Sequence, residues 1–240
     1  MRSFTLNSQF NSATQFGIRI LEPIPIPTTQ RVVEQIEVDG RAGTLTCELG
    51  WEDQNIEIHC AISGINGKSG LEMYRNFAAF TAGTIPLMST ITRLELSTNP
   101  GVYYKVKHIQ LSETTRLTSA LWEFTITFTC EPFTYLTGIE PITLTASGQV
   151  VNPGLVTAEP VITVYGTGTL TFRINDTTHT VKSPAGQVTI DSARKMCHVA
   201  GNIQTDALIG GFPILQPMSN QITLGTGISK LAIEPNWRNP

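Results

Sequence analysis

Residues 121–130, LWEFTITFTC, alternate without a break: Trp122, Phe124, Ile126, Phe128 and Cys130 fall on one side of an extended chain, Glu123, Thr125, Thr127 and Thr129 on the other. Strand side chains repeat with a period of two, so such a segment buries one face and wets the other, as in an antiparallel sheet. A helix would scatter the same residues around its circumference. The pattern recurs in TLTCEL, NIEIHCAI, TLTFRI, QVTIDS and NQITL, separated by the turn-forming NPG, GTG, NDT and SPAG. Many short strands punctuated in this way predict an all-β chain built as β-sandwiches.

One segment breaks the pattern. In SGLEMYRNFAAFTAG, Ser69 is placed to cap a helix, Leu71, Tyr74, Phe77 and Ala78 form an apolar stripe, and Gly83 is placed to end it. The fold class is therefore all-β with one short helix, at about residues 69–82. Pro132 is expected to stop the long strand at Cys130, and a new family of short strands begins near Pro141. This divides the chain into two β-sandwich-like domains, 1–135 and 136–240, with the closing strand a candidate to return to the first. At 240 residues each half is long enough for its own core.

EPIPIPTT sets Pro23, Pro25 and Pro27 at alternate positions, which forbids a central strand and favours an extended arm. Ile24 and Ile26 then face either the arm's own sheet or a neighbouring subunit. A second interruption, VDGRAGTLT, puts Asp39, Gly40, Arg41 and Gly43 between two strand-like runs. By propensity alone this stretch is a turn.

A formal charge of −3 and only 15% charged residues argue against electrostatic capture of nucleic acid, and YYKVKHI, with Lys105 and Lys107, is a meagre basic patch. No run of eighteen apolar residues and no signal-peptide core occurs, so neither export nor membrane insertion is expected. The four cysteines are too scattered for a disulfide framework, and Cys47, Cys60 and Cys130 fall on apolar faces, as buried thiols do. His59, His108, His179 and His198 lie in strand-like segments as polar-face or satisfied residues. Adjacent His59-Cys60 and Cys197-His198 point to opposite faces and cannot share a metal. Phosphate loops and G-x-S-x-G are missing. No catalytic residue, metal site or cofactor is expected, which leaves structure or binding as the function. A carbohydrate-binding β-sandwich is the alternative, weakened because Trp122 belongs to a buried stripe and Trp51 and Trp237 lack a polar cluster beside them; an unrecognised hydrolase stands third.

Read in order, several segments resemble the distal tail protein family of long-tailed, siphovirus-type phages. VDGRAGTLT is similar to that family's Gly-Arg-x-Gly turn at Gly40, Arg41 and Gly43, TNPGVYYKVKHI to its aromatic strand, and FTCEPFTY, with Pro132 and Phe133, to the exit from its first domain. VVNPGLVTAEPVITVYGTG resembles its Asn-x-Gly, Pro, Gly-x-Gly series at Asn152, Gly154, Pro160, Gly166 and Gly168. GGFPILQPMSNQITL follows with Phe212, Pro213, Pro217 and Asn220, and IEPNW matches the closing strand. Met218 departs from the pattern, because the family often has glycine there.

The resemblance implies a first domain that forms a homo-hexameric ring and a galectin-like second domain. It further implies the tail-tube protein, a tail-associated lysin or fibre and receptor-binding or baseplate proteins as partners. DNA would pass the lumen without specific binding, past a wall that is neutral or acidic at residues such as Glu48, Glu52, Asp53 and Glu57. The location implied is the virion tail tip, after assembly in the host cytoplasm. The Gly-Arg turn and the proline arm are the implied subunit contacts. Gly40 and Gly43 permit positive φ or close packing, and Arg41 either reaches across a subunit boundary or pairs with Asp39 or Glu37 in its own turn. Removing residues 1–28 is expected to weaken the ring while leaving the domain folded.

Overall fold

The computed structural model describes residues 2–82, 91–183 and 185–240. The chain divides into two compact units, Met1–Thr134 with Pro240, and Tyr135–Asn239.

The first unit is a sheet with helices on one face. Its strands run in the order Phe10–Asn11, Phe4–Leu6, Arg93–Leu96, Val102–Leu111, Leu121–Leu136, Gln54–Ser63 and Ile18–Ile20. The alternation of residues 121–130 is realised as expected: Phe124, Ile126, Phe128 and Cys130 are buried, in antiparallel register with Cys60, Ile58, Ile56 and Gln54. Burial pushes the Cys60 and Cys130 thiols up to about 12, so they serve as small apolar groups.

The long strand does not stop at Pro132. It continues to Leu136, but its buried positions slip from Cys130 to Phe133, so Glu131 and Pro132 occupy a phase shift. A proline lacks the N–H a ladder needs and is tolerated at an irregularity of this kind.

The expected helix is Gly70–Thr81, opened by a reciprocal capping box in which Ser69 and Glu72 satisfy each other's backbone N–H. Its buried stripe is Met73, Phe77 and Phe80 rather than Leu71, Tyr74 and Ala78. The rotation follows the aromatic residues it meets: Phe80 packs on Phe10 at 4.9 Å and Phe77 on Phe16 at 5.0 Å. Tyr74 at the margin stacks edge-on to Phe124 and donates its hydroxyl to Ser112 O. Gly83 lies outside the described residues.

A second helix, Ser12–Phe16, adds to the one expected. At five residues it is too short for periodicity, yet both ends are marked: Asn11 Oδ1 accepts from the Ala13 and Thr14 N–H groups, and Gly17 takes a left-handed φ of 67°. Phe4, Leu6, Ile18 and Ile24 all belong to the core, so residues 1–28 are not a detachable arm and their removal would unfold this unit.

The second unit is a sandwich of two antiparallel sheets. One runs Ile142–Leu144, Lys230–Glu234, Val161–Tyr165, Gln187–Asp191, Met196–Val199 and Asn202–Ile203; the other Gly148–Asn152, Met218–Leu224, Gly168–Ile174, Thr177–Ser183 and Leu208–Ile209. Ile162, Val164, Val188, Ile190, Leu231 and Ile233 from the first meet Val150, Leu170, Phe172, Ile174, Val181 and Ile222 from the second in one core.

Candidate functional site

Strands Arg31–Ile36 and Leu45–Trp51 pair only with each other and form a separate two-stranded sheet. Period two puts Leu45, Cys47 and Leu49 on one face, with Ile36 opposite Leu45 and Glu34 opposite Cys47. The sequence marks this face as apolar and hence as buried, and the structure corrects the second inference. Leu45 is 39% exposed, Ile36 39% and Leu49 65%, and Cys47 is half-buried. Among the described residues no sheet or helix of the first unit covers them.

The hairpin is held at its base. Trp51 packs on Phe133 at 5.4 Å, Arg31 lies over the Trp51 ring at 4.4 Å, and Arg31 pairs with Glu48. The arm docks beside this point: Thr29 Oγ1 donates to Pro132 O at 2.8 Å, and the buried Gln54 donates through Nε2 to both Thr29 Oγ1 and Pro132 O. The two isoleucines of the arm part company. Ile24 is buried in the unit's own core, whereas Ile26 is 49% exposed between Pro25 and Pro27. Pro23 is exposed as well.

At the tip, Arg41 N–H donates to Val38 O at 3.1 Å, closing a turn whose third residue, Gly40, has φ of 80°. Gly43 has φ of 82°, and a Cβ at either glycine would meet nothing within 4 Å. Positive φ, not close packing, is therefore what requires glycine there. Asp39, Gly40, Arg41 and Gly43 are all exposed. Arg41 makes no ion pair among the described residues, so pairing with Asp39 or Glu37 in its own turn is not observed.

The candidate residues of the second unit are internal anchors. Asn152, 2% exposed, donates to Val156 O and Leu215 O and accepts from Gly154 N–H. Gly154 has no room for a side chain, because a Cβ would stand 2.5 Å from Arg238 O. Asn220, fully buried, accepts from Gln216 N–H and Asn175 Nδ2 and donates to Gln216 O. Pro160 O accepts from Ser192 N–H, Pro213 is buried and Phe212 half-buried. Met218 adopts φ of 70° with its side chain 76% exposed, so the backbone keeps the conformation that glycine would favour.

Of the acidic residues named for a lumen, Glu48 pairs with Arg31 and Asp53 with Lys107 at 2.7 Å; Glu52 and Glu57 are exposed. His59 and His108 lie on exposed faces, whereas His179 is buried. Among the described residues no group of three His, Cys, Asp or Glu side chains could hold a metal, and no helix is long and apolar enough to cross a membrane. None of the three tryptophans is exposed.

These features define an all-β chain of two units whose conspicuous surface is an uncovered apolar hairpin. No family model matches the chain, and no curated protein matches it by sequence. Its fold is that of the Dit protein of phage SPP1, a hub of the adsorption apparatus in phages that infect Gram-positive bacteria. The two superpose with a TM-score of 0.66 over 97% of this chain and 98% of that one, at 16% identity. A chain of the phage P2 baseplate in its calcium-activated conformation is also similar, with a TM-score of 0.47 and 11% identity over 100% of this chain and 98% of that one.

Proposed function

We propose that the chain is a tail-tip hub subunit of a long-tailed phage. Its first unit closes a hexameric ring that joins the tail tube to the tail-associated fibre or lysin. The second, galectin-like unit is presented to receptor-binding or baseplate proteins, and DNA passes through the central channel.

The observation that carries this reading is the face of Ile36, Leu45 and Leu49, left exposed among the described residues. It stands beside a likeness of fold to a hub protein along nearly the whole chain. A lone two-stranded hairpin is marginal in water, and burying its apolar face returns about 25 cal/mol per Å². A neighbouring copy is the cover a ring supplies. Arg41 then carries an unpaired charge to the neighbour from a turn preset by Gly40 and Gly43. Ile26, held on an arm stiffened by Pro23, Pro25 and Pro27, adds a second apolar contact at low entropic cost. Asp53 and Glu48, already neutralised by Lys107 and Arg31, with Glu52 and Glu57 exposed, suit a channel wall that does not hold phosphate.

Light scattering at several concentrations and salt strengths, with negative-stain imaging, tests the reading. Wild type should give six-fold rings, by itself or when mixed with its tail-tube protein. Leu49→Lys should reduce the mass to that of a monomer with an unchanged melting temperature. Arg41→Ala should leave rings that come apart at lower salt. Rings that persist in Leu49→Lys, or a wild type that stays monomeric even with the tube protein, would count against the proposal.

A further inference from the structure

The second unit contains a cavity of about 220 Å³ between the turn at residues 174–177 and the segment 212–216. The turn is fixed: Asn175 donates through Nδ2 to Asn220 Oδ1 at 3.1 Å and accepts from Gln221 N–H at 2.9 Å, which engages both ends of its amide. The residues left to meet a ligand are His179, Asp176, Thr177, Gln216, Phe212 and Ile214.

His179 is the informative member. It is 2% exposed, its ring stacks on Phe172 at 5.2 Å, and Nδ1 lies 2.8 Å from Gly211 O. A carbonyl oxygen only accepts, so Nδ1 carries the hydrogen and Nε2 presents a lone pair. Burial holds the imidazole below its ordinary pKa, which keeps that lone pair free at neutral pH. Nε2 has no hydrogen-bond partner among the described residues, and it is not one of the side-chain atoms sealed from solvent without a partner. An acceptor that solvent can reach in a residue lining the cavity is open to a hydrogen from water or from a ligand hydroxyl.

We propose that this cavity binds one pyranose ring, the terminal sugar of a saccharide. His179 Nε2 and the Asp176 carboxylate accept hydroxyl hydrogens, and Phe212 and Ile214 receive the ring's C–H face. Two groups that only accept, with the hydroxyl of Thr177 and the amide of Gln216, suit a neutral ligand carrying several O–H groups. No cation lines the cavity, which disfavours phosphates and carboxylates. An ammonium group could satisfy Asp176 and Phe212 but offers a single centre to acceptors on different parts of the wall. The volume falls below the roughly 300–1,000 Å³ of clefts for drug-sized ligands, so one ring fits and a chain does not. Lys195 stands over one face of Phe212 at 5.6 Å and is paired with Glu159, so the opposite face is the one assigned to the sugar. The site does not depend on ring formation.

Saturation-transfer NMR on the full-length protein, which tolerates a large particle, tests this. The probes are the methyl α- and β-glycosides of glucose, galactose and N-acetylglucosamine. At least one should bind saturably, in about the millimolar range expected for so few atoms, with strongest transfer at its C–H protons. Asp176→Ala, at an exposed position, should weaken binding about tenfold, as loss of a charged hydrogen-bond partner does. His179→Gln should abolish it. Absence of transfer from every glycoside overturns the proposal, and so does transfer unchanged in Asp176→Ala. Binding of acetyl-lysine methyl ester in place of the glycosides also overturns it.

Discussion

The hairpin of the first unit and the sandwich of the second are written in the same code and have opposite fates. Leu45, Cys47 and Leu49 alternate as regularly as Ile162 and Val164, yet Leu49 is 65% exposed and Ile162 fully buried. What differs is the opposing surface. Ile162 and Val164 face a second sheet across the sandwich, whereas the hairpin has none among the described residues of its own unit. Period two therefore states that a face is apolar and is silent about what covers it.

The largest test of this contrast pairs two truncations. Phe172→Ala should destabilise the second unit by about 3–5 kcal/mol in urea unfolding. Leu49→Ala should change the monomer's stability by no more than about 0.5 kcal/mol. Equal costs at the two sites would mean that the hairpin is covered after all. A smaller effect is expected from Asn220→Ala, which removes the partner of Gln216 N–H and O and should cost about 1–3 kcal/mol. Smaller still, and of opposite sign, Met218→Gly should stabilise by about 1 kcal/mol, the left-handed penalty of a residue with a Cβ. If it instead destabilises, the exposed methionine makes a contact that its 76% exposure does not suggest.

Much of the architecture was legible because it is local. The strand at residues 121–130, the Ser69 cap and the turn at Gly40 each depend on residues a few positions apart. The helix Ser12–Phe16 escaped periodicity but not capping chemistry, since Asn11 and Gly17 bracket it. Pro132 misled because its penalty applies to a regular ladder, and the strand shifts phase where it sits. The rotated stripe of the helix at Gly70–Thr81 was not legible, because Phe80 is drawn inward by Phe10 and Phe16 from a distant part of the chain.

The site residues divide along the same line. That Gly40 and Gly43 need positive φ follows from the turn alone, but that Arg41 has no partner in that turn requires knowing every group around it. His179 is one histidine among four until Gly211, 32 residues away, takes its Nδ1–H and leaves Nε2 unclaimed in a residue that lines a cavity. Backbone propensity, capping and alternation act over a few residues and are carried by composition and spacing. Coverage of an apolar face, and the spare valence of a buried polar atom, depend on which distant segments the closed fold brings alongside.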